Sequence, residues 1–359
     1  MKGVLNPWDG RRVFLTGHTG FKGGWLSLWL ASRGAQIRGY ALDPLTEPNL
    51  FSAAAVGAQL DDVRGDTRDY LKLESAMTGF APEVVFHLAA QPLVRRSYAD
   101  PLVTYSTNVM GTAHVIEAIR KTPSVRAVVC ITSDKCYLNQ EWVWPYRETD
   151  PLGGYDPYSA SKACAEIVIA AYRSSYFPEH RHGEHHVKIG TTRAGNVIGG
   201  GDWSADRLIP DLVRGFLSRK PMLIRQPHAI RPWQHVLEPL HGYMMLAERL
   251  LAGETTLSDS FNFGPGDEEP WSVERIANRL ATLWGEEASW TIDSVPEMHE
   301  AHLLRLDSSR ANTELGWRPR LGIERALQWT FEWYRSWQQG ADMRQVTLDQ
   351  ITRFEELGR

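Results

Sequence analysis

The chain has 359 residues, with 39 basic and 43 acidic side chains, a formal charge of −4, and ordinary shares of hydrophobic (43%) and charged (23%) residues. This length suits one large domain or two fused lobes with a sizeable core, and the mild acidity excludes the net basic footprint of a nucleic-acid binder. Cys130, Cys136 and Cys164 lack CxxC spacing, which argues against a disulfide framework or zinc site; with no apolar leader and no long apolar run, a soluble cytoplasmic protein without a membrane partner is expected.

Short apolar, β-branched runs alternate with helical patterns through the first half. Arg12–Thr16 (RVFLT) predicts a buried strand, Phe21–Arg33 a helix stopped by Gly34, and Gln36–Leu42 a second strand. Glu83–Ala89 and Arg126–Thr132 predict two more, with a helix over Val109–Lys121 between them. Continuous apolar strands separated by helices imply a parallel sheet covered on both faces, so the expected class is α/β, doubly wound. Tyr158–Tyr176 predicts a helix apolar round most of its circumference, enough to be covered by the sheet and by a second subunit. Val187–Thr192 and Ser260–Phe263 predict a sixth and a seventh strand, whereas RQPHAIRPWQHV reads as loop. The expected organisation is a nucleotide-binding domain over 1–196, to which segments near 234–264 return, and a smaller discontinuous lobe with C-terminal helices over 197–359. The four histidines within Pro178–His186 have no recognised ligand spacing, so this segment reads as an exposed polar loop and no metal is expected.

The first predicted strand runs into Thr16-Gly17-His18-Thr19-Gly20-Phe21-Lys22-Gly23. Glycines spaced GxxGxxG permit a tight turn, close backbone approach to a diphosphate, and packing of a helix whose N-terminus offers free N–H groups. Asp43 closes the second strand, where a carboxylate binds an adenosine ribose hydroxyl and repels a 2′-phosphate, favouring NAD over NADP. Asp66-Thr67 and Ala89-Ala90 follow the third and fourth strands, over whose carboxyl ends a dinucleotide should run. Tyr158 and Lys162 stand one helical turn apart on one face. A cation within ~4–6 Å of a phenol should lower its pKa from ~10 by ~1–3 units, towards a useful base. Ser133 adds a hydroxyl after the fifth strand.

With Asn108 in NVMGT, Arg193–Gly199 (RAGNVIG), Arg207–Pro210 (RLIP), Arg231–Trp233 (RPW) and Asn262 in FNFGPGDE, these residues resemble the extended short-chain dehydrogenase/reductase family of nucleotide-sugar enzymes. The resemblance implies a Rossmann-type fold and NAD held by residues 17–23, Asp43, Asp66, Thr67, Ala89, Ala90, Asn108, Tyr158 and Lys162. Within the family, TGHTGFKGGWLSLWL, RAGNVIGGGDW and PHAIRPWQHVLEPL are similar to the branch that dehydrates CDP-glucose across carbons 4 to 6 in deoxysugar synthesis. By that resemblance Tyr158, with Lys162 and Ser133, takes the 4-hydroxyl proton while NAD oxidises carbon 4 and then reduces carbon 6.

Elimination needs a further acid and base, and Asp134 and Lys135 stand at those positions. Lys135 replaces the glutamate of dTDP-glucose dehydratases. Reference pKa values of ~3.9 and ~10.4 favour the opposite ionisation by ~6.5 units, or ~9 kcal/mol, a gap that burial of both groups would reduce. A charged Lys135 stabilising an enolate, or a relaying water, stays open. Asn196, Arg207 and Arg231 are the expected diphosphate contacts, and His302 and Arg305 (HEAHLLRLD) further substrate contacts. Relatives pair the Val109–Lys121 and Tyr158–Tyr176 helices across a two-fold axis, implying a homodimer or a dimer of dimers. The rivals are a dehydratase for another nucleotide-glucose, a 4-epimerase with no use for Asp134-Lys135, and a non-catalytic NAD sensor with no need of Tyr158 and Lys162.

Overall fold

The computed structural model describes residues 6–257, 259–266, 271–285, 288–292 and 303–358. Six strands alternate with helices in the first half: β1 (Arg12–Thr16), β2 (Gln36–Ala41), β3 (Asp61–Arg64), β4 (Val84–His87), β5 (Ala127–Ile131) and β6 (Lys188–Ala194). After them come β7 (Val197–Ile198), β8 (Met222–Ile224), β9 (Gln234–His235), β10 (Ser260–Phe263) and β11 (Trp290–Ile292). One sheet runs in the order β10-β6-β5-β4-β1-β2-β3, every neighbour parallel. The order reverses between β1 and β4, and a crevice opens there at the carboxyl ends.

These runs are strands because alternate side chains find two different cores. Val13 and Leu15, Val84 and Phe86, and Ala127, Val129 and Ile131 join one buried cluster. Phe14, Val85, Val128 and Cys130, at the intervening positions, join a second on the opposite face. A period of two with both sets apolar demands cover on both faces. Helices Phe21–Ser32 and Leu237–Leu251 cover the first face; Tyr70–Phe80, Gly111–Arg120 and Pro157–Ser175 cover the second.

The first cluster does not stop at the sheet. It continues through Trp203, Ile209, Trp233, Ile276, Trp317, Trp333 and Phe354 of the second half. Trp8, Trp25, Trp29, Trp317 and Trp333 are fully buried. Each of their indole N–H groups keeps an acceptor: Glu248, the Gly200 carbonyl, Glu355, the Glu238 carbonyl and Thr347 respectively. These five tryptophans therefore serve packing with the polar edge satisfied, whereas the buried N–H groups of Trp142 and Trp203 have no partner among the described residues.

Three local expectations change. Ser106–Met110 is a π turn, so the helix expected from Val109 starts at Gly111. RQPHAIRPWQHV is not all loop, because β9 pairs with β7; nearby, β8 pairs with β11. The Pro178–His186 segment contains two short helical turns, Glu179–Arg181 and His182–His185, and His185 is spent on the Pro178 carbonyl and the Val187 N–H. No described helix is long and apolar enough to cross a membrane.

Candidate active site

β1 ends at Thr16 and the chain turns at once. Gly17 has φ +82°, and a Cβ there would lie 2.8 Å from the Ala89 nitrogen, so only glycine lets the loops after β1 and β4 meet. A Cβ on Gly23 would lie 2.1 Å from the Gly17 carbonyl oxygen. Gly20 caps helix Phe21–Ser32 without a side-chain hydrogen bond, which leaves the first-turn N–H groups for an anion. A dinucleotide diphosphate fits this turn. Thr19 Oγ1 donates to the Leu42 carbonyl (2.9 Å), tying the turn to the end of β2.

The side chains expected around the cofactor divide. The His18 ring is buried with Nε2 2.8 Å from the Asp62 carboxylate, a partner the sequence did not reveal. Burial holds its pKa down, against the opposing pull of Asp62. Asp43 does not close the strand: β2 stops at Ala41, and the Asp43 carboxylate is 88% exposed and 3.4 Å from Arg64. The Asp66 carboxylate accepts from the Arg68 N–H and guanidinium, both at 2.9 Å. Thr67 is buried against Gly111, and the Ala89 N–H donates to Thr16 Oγ1 at 3.1 Å. Ala90 follows on the same loop. Asn108 is committed to protein: Oδ1 accepts from the Gln91 N–H (2.8 Å), and Nδ2 donates to the Gln91 carbonyl (3.0 Å) and Ser161 Oγ (2.8 Å). It braces the loop after β4 against the Tyr158 helix.

β5 delivers Thr132–Lys135 to the same edge. Ser133 Oγ accepts from the Lys135 N–H (3.2 Å) and donates to Asp134 Oδ1 (3.0 Å). Asp134 is 4% exposed. Burial lifts its carboxyl above the usual range; Lys135, the Ser133 hydroxyl, Lys22 and Arg231 oppose this without cancelling it. Helix Pro157–Ser175 starts where Asp156 caps it, accepting from the Ser159 N–H (2.9 Å) and hydroxyl (2.6 Å), with Pro157 in the first turn. Asp–Pro ahead of a helical run was a readable start signal.

That start sets Tyr158 beside Ser133 and Lys162 one turn along the helix. Burial pushes the Tyr158 phenol up to about 12, with the Ser133 hydroxyl acting the other way. Lys162 Nζ donates to the Ile131 carbonyl (3.3 Å), and burial brings it down to about 8 against the pull of Glu166. The lowered phenol expected from a neighbouring lysine is therefore not found in the chain by itself. Desolvation decides the direction, and the Lys162 ammonium is turned to the β5 backbone.

A cavity of about 690 Å³ lies over these strand ends. Lys22, Ser133, Asp134, Lys135, Tyr158, Asn196, Arg207 and Arg231 all line it. Lys162 and Arg305 do not, although Leu304 beside Arg305 does, and Arg305 offers its carbonyl to the Tyr146 N–H (2.9 Å). His302 lies outside the described residues. Arg207 is paired with the buried Asp202 (2.9 Å), which upholds its charge against burial. Burial, then Arg207 and Lys162, take Lys22 down to about 7. Arg95 and Arg225, also on the wall, lie 3.5 and 3.8 Å from Asp206. No local pattern marks this trio, because three distant segments bring it together.

Behind Lys162 is a closed polar network. Glu166 accepts from the Thr132 hydroxyl, the Thr191 hydroxyl (2.8 Å), and Arg193 Nε (2.9 Å) and Nη2 (3.0 Å). Arg193 Nη1 donates to the Tyr137 hydroxyl (2.9 Å), which donates to Asn262 Oδ1 (2.7 Å). Both partners of the Glu166–Arg193 pair are 3% exposed. Burial would raise Glu166, but Arg193 and the hydroxyls carry it below the usual carboxylate range.

The family model described as GDP-mannose 4,6 dehydratase matches residues 14–330. A CDP-glucose 4,6-dehydratase of Salmonella typhimurium is 53% identical over 94% of both chains. Among solved structures, a dTDP-glucose 4,6-dehydratase from Streptomyces venezuelae with NAD bound superimposes with a TM-score of 0.76 at 24% identity, covering 93% of this chain and 99% of that one. A UDP-glucose 4-epimerase from Thermotoga maritima gives 0.76 at 21% identity, covering 90% and 99%. These two share the fold and differ in reaction, so the fold does not choose between dehydration and epimerisation. By the span of the family match and the identity to its Salmonella relative, the chain belongs to the GDP-mannose 4,6-dehydratase family, within the extended short-chain dehydrogenases/reductases.

Proposed function

We propose that the chain is an NAD-dependent CDP-glucose 4,6-dehydratase, converting CDP-glucose to CDP-4-dehydro-6-deoxyglucose and water. The observation that carries this is Ser133, Asp134, Lys135 and Tyr158 on one cavity wall, in a chain 53% identical to such an enzyme. The Gly17–Gly23 turn and the free N–H groups of the helix after it would hold NAD, which would supply reversible two-electron chemistry between carbon 4 and carbon 6. Tyr158 accepts the 4-hydroxyl proton, helped by Ser133 and by Lys162 behind it. The 4-ketone acidifies the proton on carbon 5. Asp134, whose buried carboxyl holds a proton more firmly than an exposed one, donates to the departing 6-hydroxyl. Lys135, on the turn that begins at Ser133, acts at carbon 5, as the base that takes its proton or, as an ammonium, as countercharge to the enolate while a water takes the proton. Arg207, Arg231 and Asn196 receive the diphosphate; Arg305, which lies off the cavity wall, would reach the substrate only by moving, and His302 stays a proposed contact from the sequence alone.

In this reading residues 1–196, with the 234–264 return, hold NAD, and 197–359 mainly supply the substrate wall. Leu102 on helix Pro101–Tyr105, Met110 on the π turn, Ile167 on helix Pro157–Ser175 and Tyr176 just after it leave half or more of their surface exposed where these elements pack together, which supports a homodimer or dimer of dimers. A concentration-independent monomer mass would remove that assembly. Three free cysteines fit a reducing cytoplasm.

The test uses CDP-glucose with deuterium on carbon 4 and mass analysis of the product. Loss of water, deuterium on carbon 6 and a solvent proton on carbon 5 are expected. CDP-galactose without water loss would replace the reading by an epimerase. Turnover confined to dTDP-, UDP- or GDP-glucose would change the substrate, and NAD binding without turnover on any of them would leave a sensor.

A further inference from the structure

We propose that His87 is a positioning residue that ties the dinucleotide turn to the Tyr158 helix through a one-way hydrogen-bond relay. The proposal rests on the NAD part of the reading above and on no feature of the sugar substrate. His87 ends β4, is 3% exposed, and lines no part of the cavity described above.

Its ring lies between two threonines, with Nδ1 2.8 Å from Thr16 Oγ1 and Nε2 3.0 Å from Thr112 Oγ1. Hydrogen counting assigns the direction. Thr112 Oγ1 spends its single proton on the Asn108 carbonyl at 2.6 Å, so it accepts from His87 Nε2–H and leaves Nδ1 without a proton. Thr16 Oγ1 accepts from the Ala89 N–H (3.1 Å) and shares the Leu88 N–H with the Thr16 carbonyl (3.1 and 3.2 Å), and its hydroxyl is left to donate. That proton goes to the bare His87 Nδ1. From Asn108 the side-chain amide reaches Ser161 Oγ (2.8 Å), which donates to the Tyr158 carbonyl (2.7 Å).

Every link is buried: Thr16, His87, Thr112, Asn108 and Ser161 are each no more than 4% exposed. At one end the relay fixes the residue before Gly17 and the amide of Ala89, the two loops that a dinucleotide would lie across. At the other it reaches the π turn Ser106–Met110 and the first turn of the Tyr158 helix. Burial, with the charge of Lys162 beyond it, keeps the imidazole neutral by taking it down to about 3, so the tautomer does not change across the working range of pH. A charged ring would have two donors and would reverse the Thr16 link.

The test compares His87→Leu and His87→Gln in the full chain. Gln keeps an acceptor and a donor on one planar group; Leu leaves two buried threonines without their partner. With His87→Leu, NAD should bind about 10-fold more weakly and kcat should fall about 10-fold, while KM for CDP-glucose stays within about twofold. His87→Gln should recover both to within about threefold. Nitrogen-15 spectra of the labelled wild type should show the His87 ring neutral and Nε2-protonated from pH 5 to 8. Wild-type NAD affinity and kcat in a folded His87→Leu, no recovery in a folded His87→Gln, or an Nδ1-protonated ring would each overturn the proposal. If His87→Leu does not fold, Thr112→Val, which removes the acceptor for Nε2 with little change of shape, should give the same loss of NAD affinity; unchanged affinity there overturns the relay. A failed sugar reaction with intact NAD binding and the expected ring spectrum would count against the substrate assignment alone.

Discussion

Thr132 and Ser133 are consecutive residues at the end of β5, and each hydroxyl donates to a buried carboxylate, Glu166 and Asp134 respectively. The two carboxylates are almost equally hidden, at 3% and 4% exposure. Their pKa values nevertheless move in opposite directions, Glu166 downward and Asp134 upward. Glu166 receives four hydrogen bonds, two of them from Arg193; Asp134 receives one from Ser133, and the cations near it act only through space. Burial raises both alike, and the number of committed donors decides the outcome. The same division separates Arg193, which is locked, from Lys22, which has no close ion pair among the described residues. The locked Glu166–Arg193 pair builds the platform, and the under-compensated Asp134 and Lys22 face the cavity.

Removing each member of the contrast should therefore have a different signature. The largest expected change is in activity: Asp134→Asn should slow dehydration by about 100- to 10,000-fold, while oxidation at carbon 4 persists as enzyme-bound NADH or a 4-keto sugar. Full loss of oxidation with it would make Asp134 part of the first step. Next is Glu166→Gln, which strands Arg193 and should cost about 3–5 kcal/mol of stability in denaturant titration. The folded pKa of Glu166 is depressed, so this stabilisation is present above the unfolded value and is lost as pH falls; the variant and wild type should converge in acid. Equal stability at pH 7 would remove Glu166 from the platform.

Lys22→Met should go the other way, stabilising the fold by about 1–3 kcal/mol at pH 6 to 7. The native pKa is about 7 against 10.5 unfolded, so the penalty of burying the cation is complete below 7 and fades as pH rises towards 10.5. A constant gain across that window would show packing, not charge. The smallest effect is that of Asp134→Asn on stability, a gain of about 1 kcal/mol or less at neutral pH. Because the Asp134 pKa is raised, its ionisation costs stability only above the unfolded value, and the gain should vanish near pH 3.

The first half of the fold was legible because its signals are local. RVFLT, EVVFHLA and RAVVCIT are apolar at every second position on both faces, and glycines stand where the first turn has no room for a side chain. Ser133, Asp134, Lys135 and Tyr158 could be read from adjacent residues at strand and helix ends. The π turn could not, since Asn108 is drawn out of register by Gln91 and Ser161, which lie in other segments. Asp62 under His18 and Asp206 between Arg95 and Arg225 were hidden for the same reason. The displacement of Asp43 from the strand end, and the direction of the Tyr158 shift, depend on exposure and desolvation, which neighbouring letters do not encode.

The first helix has an unusual dependence on timing. Trp29 donates to Glu355 and packs edge-on against Phe354, in helix Met343–Glu356, and the two hydrogen-bonded residues are 326 positions apart. During synthesis the Gly17–Gly23 turn and its strand leave the ribosome early, but the outer face of the helix that follows waits for full cover until those late residues emerge. In a nascent chain the Trp29 indole can meet His241, on which it also stacks, only after two-thirds of the chain is made, and its N–H finds its acceptor only when the last helix emerges.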